Sequence, residues 1–155
     1  MSLFGIITAR LSRYLVNSHT PAFNFAVLSS ILLLSLLGLT LAIPVGGLLF
    51  AVGAFVVLGM VQFQASFYLN RAVDSSLRAT VLSFKGLALN LGLGFASLLY
   101  TGLVATLSAR DAGLPEAELQ EHVFLDALLA FPLYYIVLMI LIILAARKES
   151  GLWKR

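Results

Sequence analysis

The sequence has no cysteine and few charged residues. Without cysteine there can be no disulfide, thiolate metal site or thiol nucleophile. The two histidines, His19 and His122, lie far apart in the sequence and do not indicate a metal site. Charged residues make up 11% of the chain, whereas about 25% is usual in a soluble domain. The chain therefore has too little charge for the surface of a typical soluble protein.

Apolar residues are abundant instead. They make up 61% of the sequence, and the mean hydropathy is +1.02. A chain of 155 residues has too small an interior to bury this excess. The composition predicts an integral membrane protein whose main partner is the lipid bilayer. The net charge of +3 is small and is explained by membrane orientation, so no nucleic-acid partner is predicted.

Four stretches are apolar for long enough to cross a bilayer as helices, which takes roughly 20 residues. Only the third and fourth contain a charged residue, Lys85 and Asp126 respectively. Closed barrels also satisfy the backbone in lipid, but these runs lack the alternation of barrel strands. We therefore predict an all-α fold, a single membrane domain over residues 1–155, with transmembrane helices at about 22–43, 46–69, 79–108 and 123–146.

The basic residues predict the orientation of these spans. Nine of the ten Lys and Arg residues lie in or near the N-terminal segment, the link after the second span and the C-terminal tail, and Arg110 is the exception. The positive-inside rule places these regions in the cytoplasm. We predict a multi-pass protein of the cell membrane, with segment 1–20, the tail 147–155 and both termini on the cytoplasmic side.

The third span has a stripe of small and polar residues at steps of three or four, which puts them on one helical face. In membranes, small residues mark close helix contacts, and hydroxyl and amide groups mark hydrogen bonds between helices. The stripe therefore predicts a face turned towards other helices or a watery path, with Gly86 and Gly94 as packing positions. It consists of Ser83, Gly86, Asn90, Gly94, Ser97, Thr101, Ala105 and Ser108.

The second span has a weaker polar face that contains Gln62, with Gln64 off to the side. The first and fourth spans are more uniformly apolar and are predicted to be peripheral. Pro132 is expected to kink or loosen the start of the fourth span.

Four polar residues are candidates for contact with a solute, namely Gln62, Asn90, Ser97 and Thr101. Each also has a purely structural interpretation. The two amides can hydrogen-bond a neighbouring helix, and the two hydroxyls can bond their own helix backbone.

The two charged residues inside the spans also have more than one interpretation. Lys85 can snorkel to the cytoplasmic headgroups, or it can bind an anionic solute. Asp126 either lies at the interface or, as an intramembrane carboxylate, couples transport to protons. Neither alternative is decided by the sequence.

Two segments resemble the major facilitator superfamily of transporters. Gly5, Arg10 and Arg13 are similar in spacing to a cytoplasmic loop motif of that family, although Ala9 stands where an acidic residue is expected. Tyr68-Leu69-Asn70-Arg71 and Arg78-Ala79-Thr80-Val81-Leu82-Ser83 resemble the link between the family's tenth and eleventh helices. The resemblance implies that Arg71 and Arg78 belong to a second cytoplasmic loop.

The resemblance implies that the four spans stand for the ninth to twelfth helices, part of the C-terminal six-helix bundle. It also implies transport of a small solute by alternating access, with no cofactor. The chain is then expected to be a C-terminal fragment that needs partner helices and is not competent alone.

The sequence leaves functions other than transport open. A small four-helix subunit with a structural or assembly role would use the polar stripe to bind a partner. Small multidrug exporters have four spans, but they place a carboxylate in the first span, where this chain has none. No span carries paired carboxylates, a histidine cluster or a nucleophile with its base, so no enzyme or metal site is predicted.

Overall fold

The computed structural model describes residues 3–43 and 45–152, and it contains α-helices and no strand over these residues. The last four helices are long and apolar enough to cross a membrane. This confirms the prediction of an all-α chain with four such helices, as expected of a multi-pass membrane protein. The helices are α1 (Leu3–Ser18), α2 (Pro21–Thr40), α3 (Gly46–Ala72), α4 (Arg78–Arg110) and α5 (Glu116–Leu152).

Each of the four long helices differs from its predicted span at one end or both, and two of these differences have a local physical cause. Helix α2 ends at Thr40, and the chain then turns through Ala42, whose φ of 50° is incompatible with a right-handed helix. Helix α5 begins at Glu116, ahead of the predicted span. Its first turn carries acidic side chains, which the positive end of the helix dipole stabilises. Pro44 and residues 153–155, the end of the predicted tail, lie outside the described residues.

Helix α1 occupies residues 3–18 of segment 1–20, for which the sequence predicted a cytoplasmic position but no helix. It packs mainly on α3, and the side chain of Thr8 lies beside Gly59, halfway along α3. Ser12 and Val16 are buried. Helix α1 therefore runs alongside the half of α3 that leads to the predicted cytoplasmic link.

The core lies between α2 and α3. Leu28 of α2 packs with Val57 and Met60 of α3, and all three are buried. Helix α2 also contacts α1 and α5. Among the described helices it therefore lies centrally, and the prediction that the first span is peripheral is wrong for this chain.

Helix α5 packs against α2 and α4. The Tyr135 hydroxyl donates to the carbonyl oxygen of Ser29 at 3.3 Å, and the rings of Tyr100 and Phe131 stack with centroids 5.7 Å apart. The helix continues through Pro132, which is buried. Helix α4 contacts α3 and α5, and none of its residues is buried.

Candidate functional site

The candidate site is the stripe predicted on the third span, which the structure places on α4. We call Ser83, Gly86, Asn90, Gly94, Ser97 and Thr101 the polar face of α4. All of them are exposed except Gly86, which is half-buried. A Cβ placed on Gly86 or Gly94 would have no described atom within 4 Å. The helix contact predicted for these two glycines is therefore not made within the described chain.

Two hydroxyl groups of the polar face donate to the backbone of their own helix. Ser97 Oγ donates to the Leu93 carbonyl oxygen and Thr101 Oγ1 donates to the Ser97 carbonyl oxygen, both at 2.9 Å. This is the local bonding that the sequence allowed for these residues. The side-chain amide of Asn90 is exposed and forms no hydrogen bond with a described residue. Its amide therefore keeps its full capacity to bind a solute, water or another helix.

Lys85 joins α4 to α3 through two hydrogen bonds. Its Nζ donates to Ser66 Oγ at 2.7 Å and to the Gln62 carbonyl oxygen at 3.2 Å. Five residues separate Lys85 from Asn90, which is about 140° around a helix of 3.6 residues per turn. The bond to α3 therefore turns the polar face away from α3.

Gln62 contributes to this junction through its backbone. Its carbonyl oxygen accepts from Lys85 Nζ, and also from Ser66 Oγ at 3.0 Å. Its side chain is half-buried. The more deeply buried amide on α3 is Gln64, with 5% of its surface exposed. The prediction that the Gln62 side chain lies on a solute path stays a prediction.

An ion-pair cluster holds the other end of α4 against α5. Arg110 pairs with Asp111 at 2.8 Å and with Asp126 at 2.5 Å. The hydrogen bond from Arg110 lowers the pKa of the Asp111 carboxyl below its ordinary value. Asp126 therefore has a cationic partner at the helix end, which favours the interfacial interpretation over a proton-coupling carboxylate inside the span.

The residues that resemble the two cytoplasmic loops of the transporter family lie apart in the structure. Gly5, Arg10 and Arg13, which the resemblance places in a loop, lie within α1 and are exposed. The guanidinium carbon of Arg71 lies 5.4 Å from the centre of the Phe67 ring. Arg78 donates from Nε to the Val73 carbonyl oxygen at 3.4 Å. Among the described contacts, no hydrogen bond joins the α1 arginines to the other two.

Four polar residues were not predicted to be buried, namely Ser12, Asn24, Ser35 and Gln64. Asn24 Nδ2 donates to the Leu15 carbonyl oxygen and to the Tyr68 hydroxyl, both at 3.0 Å. This amide joins α1, α2 and α3. This contact was not predicted, because segment 1–20 was not expected to fold against the spans.

Comparison of the chain with protein-family models, curated proteins and solved structures gave no match.

Proposed function

We propose that this chain is one helical bundle of a secondary-transporter-like membrane protein. In this proposal the polar face of α4 lines the route of a small solute between the bundle and partner helices. Transport proceeds by alternating access, and the chain is not competent alone. The exposed polar face of α4, with the unbonded amide of Asn90, is the observation that carries the proposal.

Asn90 determines how favourable it is for the polar face of α4 to contact lipid. An amide that enters an apolar environment without a hydrogen bond costs roughly 2–7 kcal/mol. Ser97 and Thr101 avoid most of this cost by bonding their own backbone. Asn90 has no such bond to a described residue, so contact with water or with a polar partner is more favourable for it than contact with lipid.

The proposal also includes the orientation of the chain in the membrane and its relation to a transporter family. The charge distribution supports a cell-membrane protein with both termini in the cytoplasm. The resemblance at Tyr68–Arg71 and at Arg78–Ser83 supports a bundle related to the C-terminal bundle of the major facilitator superfamily. In this arrangement the Lys85 end of α4 faces the cytoplasm and the Arg110 end faces the opposite side.

A structural or assembly subunit is the second candidate. Gly86 and Gly94 favour it, because small residues allow two helix backbones to approach closely in a membrane. The polar face of α4 would then pack against a partner helix, and water would be excluded from it. The two candidates differ in whether water reaches the polar face.

Cysteine accessibility distinguishes them, and the chain has no native cysteine to interfere. Single cysteines replace Asn90, Ser97 or Thr101, with Phe95→Cys and Leu99→Cys as controls on the far side of α4. The proteins are treated in native membranes with a charged methanethiosulfonate reagent, which reacts with the thiolate. A thiol ionises readily only where water reaches it, and one unit of pKa changes the thiolate fraction by about tenfold.

The proposal predicts modification of the polar-face cysteines at least about tenfold faster than of the controls. Equally slow modification at all positions would contradict a solute path and would support the assembly role. Equally fast modification at all positions would show that α4 does not lie in the membrane.

A further inference from the structure

Helix α1 lies beside the apolar part of α3. Residues 46–70 of α3 carry no charge, and Gly59 lies next to the centre of this run. A Cβ placed on Gly59 would be 3.7 Å from Thr8 Cγ2. Further along, one amide of α2 bonds both Leu15 and Tyr68, so α1 and α3 run in the same direction. Thr8 is therefore level with the middle of the run through which α3 is long enough to cross a membrane.

Two arginines follow Thr8 on α1 and lie at membrane depth. The rise of a helix places the backbone of Arg10 about 3 Å and that of Arg13 about 7.5 Å beyond Thr8. The hydrocarbon of a bilayer extends about 15 Å to either side of its centre. With α3 across the bilayer, the backbones of Arg10 and Arg13 thus both lie within the hydrocarbon layer.

The charges of these two arginines are not neutralised by the described residues. Both side chains are exposed, and neither has a carboxylate partner among the described residues. Helix α1 packs on α2 and α3, and the sequence has no acidic residue before Asp74. Charged residues at membrane depth face water or a counter-charge, because contact with lipid is costly. The arginine side of α1 is therefore expected to face water and an anionic group.

This side of α1 continues into a cavity of about 480 Å³ at the end of the helix. Asn17 lies four residues after Arg13 and seven after Arg10, which puts the three side chains on one side of α1. The volume is within the range of roughly 300–1,000 Å³ typical of small-molecule sites. The cavity is lined by Asn17, Ser18, His19, Thr20 and Phe23. None of these residues is acidic, so the cavity does not repel an anion.

The arrangement of the donors restricts the ligand. Side chains three residues apart on a helix have Cβ atoms about 5–6 Å apart, so the guanidinium groups of Arg10 and Arg13 can bind one anion together. The planar guanidinium matches the oxygens of a carboxylate or a phosphate. A phosphate monoester carries about −1.5 to −2 charges and three accepting oxygens. It fits two cations and the nearby amide of Asn17 better than a carboxylate does.

We propose that Arg10 and Arg13 bind a phosphate group, and that the cavity at the end of α1 holds part of the molecule that carries it. The phosphate group belongs either to a soluble solute or to a lipid headgroup. The proposal concerns α1 and does not rest on a solute path along α4.

Modification of arginine by p-hydroxyphenylglyoxal tests the proposal. The full chain is purified in dodecyl maltoside, a detergent without phosphate, and the rate of modification at each arginine is measured by mass spectrometry. Inorganic phosphate is added in one series and phosphatidylglycerol in another. Sodium chloride at the same ionic strength controls for screening of the charges. Arg78, exposed at the start of α4, is the reference position.

Inorganic phosphate is expected to slow modification of Arg10 and Arg13 about fivefold or more, and that of Arg78 less than about twofold, because a bound oxyanion occupies the guanidinium group. Arg13→Gln should raise the phosphate concentration that half-protects Arg10 by at least about tenfold, the value of one charge-assisted hydrogen bond. Arg78→Gln is the matched control and should leave that concentration unchanged.

Protection by phosphatidylglycerol as well would identify a lipid headgroup as a source of the phosphate group. Protection by inorganic phosphate alone would restrict the site to soluble solutes. The proposal would be overturned if phosphate protected Arg10 no better than chloride does. It would also be overturned if Arg13→Gln left the half-protecting concentration unchanged.

Discussion

Gly38→Ala is expected to destabilise the protein by about 1–3 kcal/mol, the usual cost of overpacking a core. Gly38 lies on α2 where it meets α3, and a Cβ at this position would overlap the ring of Phe50. The clash involves the base of the ring as well as its edge, so rotation of the side chain alone does not relieve it. The two helices must separate, and the core around Leu28 and Val57 then loosens.

Thermal unfolding of the purified protein in detergent checks this result. Gly92→Ala is the matched control, because no described atom lies within 4 Å of a Cβ placed on that glycine of α4. Alanine is favoured over glycine in helices by up to about 1 kcal/mol, so the control should be neutral or slightly more stable. Equal stability of Gly38→Ala and Gly92→Ala would show that α2 and α3 do not pack as described.

Asn24→Ala is expected to cost about 2 kcal/mol, from two lost hydrogen bonds of about 1 kcal/mol each. Asn24 is fully buried and bonds the Leu15 carbonyl oxygen and the Tyr68 hydroxyl. The Leu15 carbonyl retains its bond from the backbone of His19, so the loss falls mainly on the junction between α2 and α3 and on the docking of α1.

A double-mutant cycle with Tyr68→Phe measures the shared bond. The two substitutions should be less than additive, with a coupling of about 0.5–1.5 kcal/mol. Asn17→Ala is the control, since Asn17 is exposed in the last turn of α1. Strict additivity of Asn24→Ala and Tyr68→Phe would mean that the bond between these side chains does not form.

Hydropathy was sufficient to predict the four long helices, because bilayer thickness imposes a length that few other helices reach. It was not sufficient to predict which helix is central. Helix α2 is almost uniformly apolar, so its sequence has no periodic signal for the face that packs against α3. Its buried contact residues include Asn24, Ser35 and Gly38, which are small or polar and do not stand out as a core.

The polar face of α4 also shows that tertiary contacts could not be predicted from the sequence. Its residues share one side of α4 because helical periodicity depends on the sequence alone. What covers the face depends on tertiary contacts, and the described part of the chain supplies none. Similarly, Gln62 and Gln64 differ by two residues, and only the position of α1 and α2 around α3 determines which amide is buried.

Helix α1 was not predicted because it is short and because Arg10 and Arg13 interrupt its apolar residues. Its burial at Ser12 depends on α3, far along the chain. The resemblance placed these residues in a loop, where their charges would be fully solvated. In the structure the arginines remain exposed while the opposite side of the helix packs, which is the ordinary behaviour of an amphipathic helix.

In the proposed arrangement, partner helices, and not lipid, face the polar side of α4. Photo-crosslinking in native membranes tests it most directly, with benzoylphenylalanine introduced at Ser97 on the polar face or at Phe95 on the far side. Contact with partner helices predicts a protein adduct of defined mass from position 97 and lipid adducts from position 95. Lipid adducts from both positions would show that the polar face lies in the bilayer without a partner, and would contradict this arrangement.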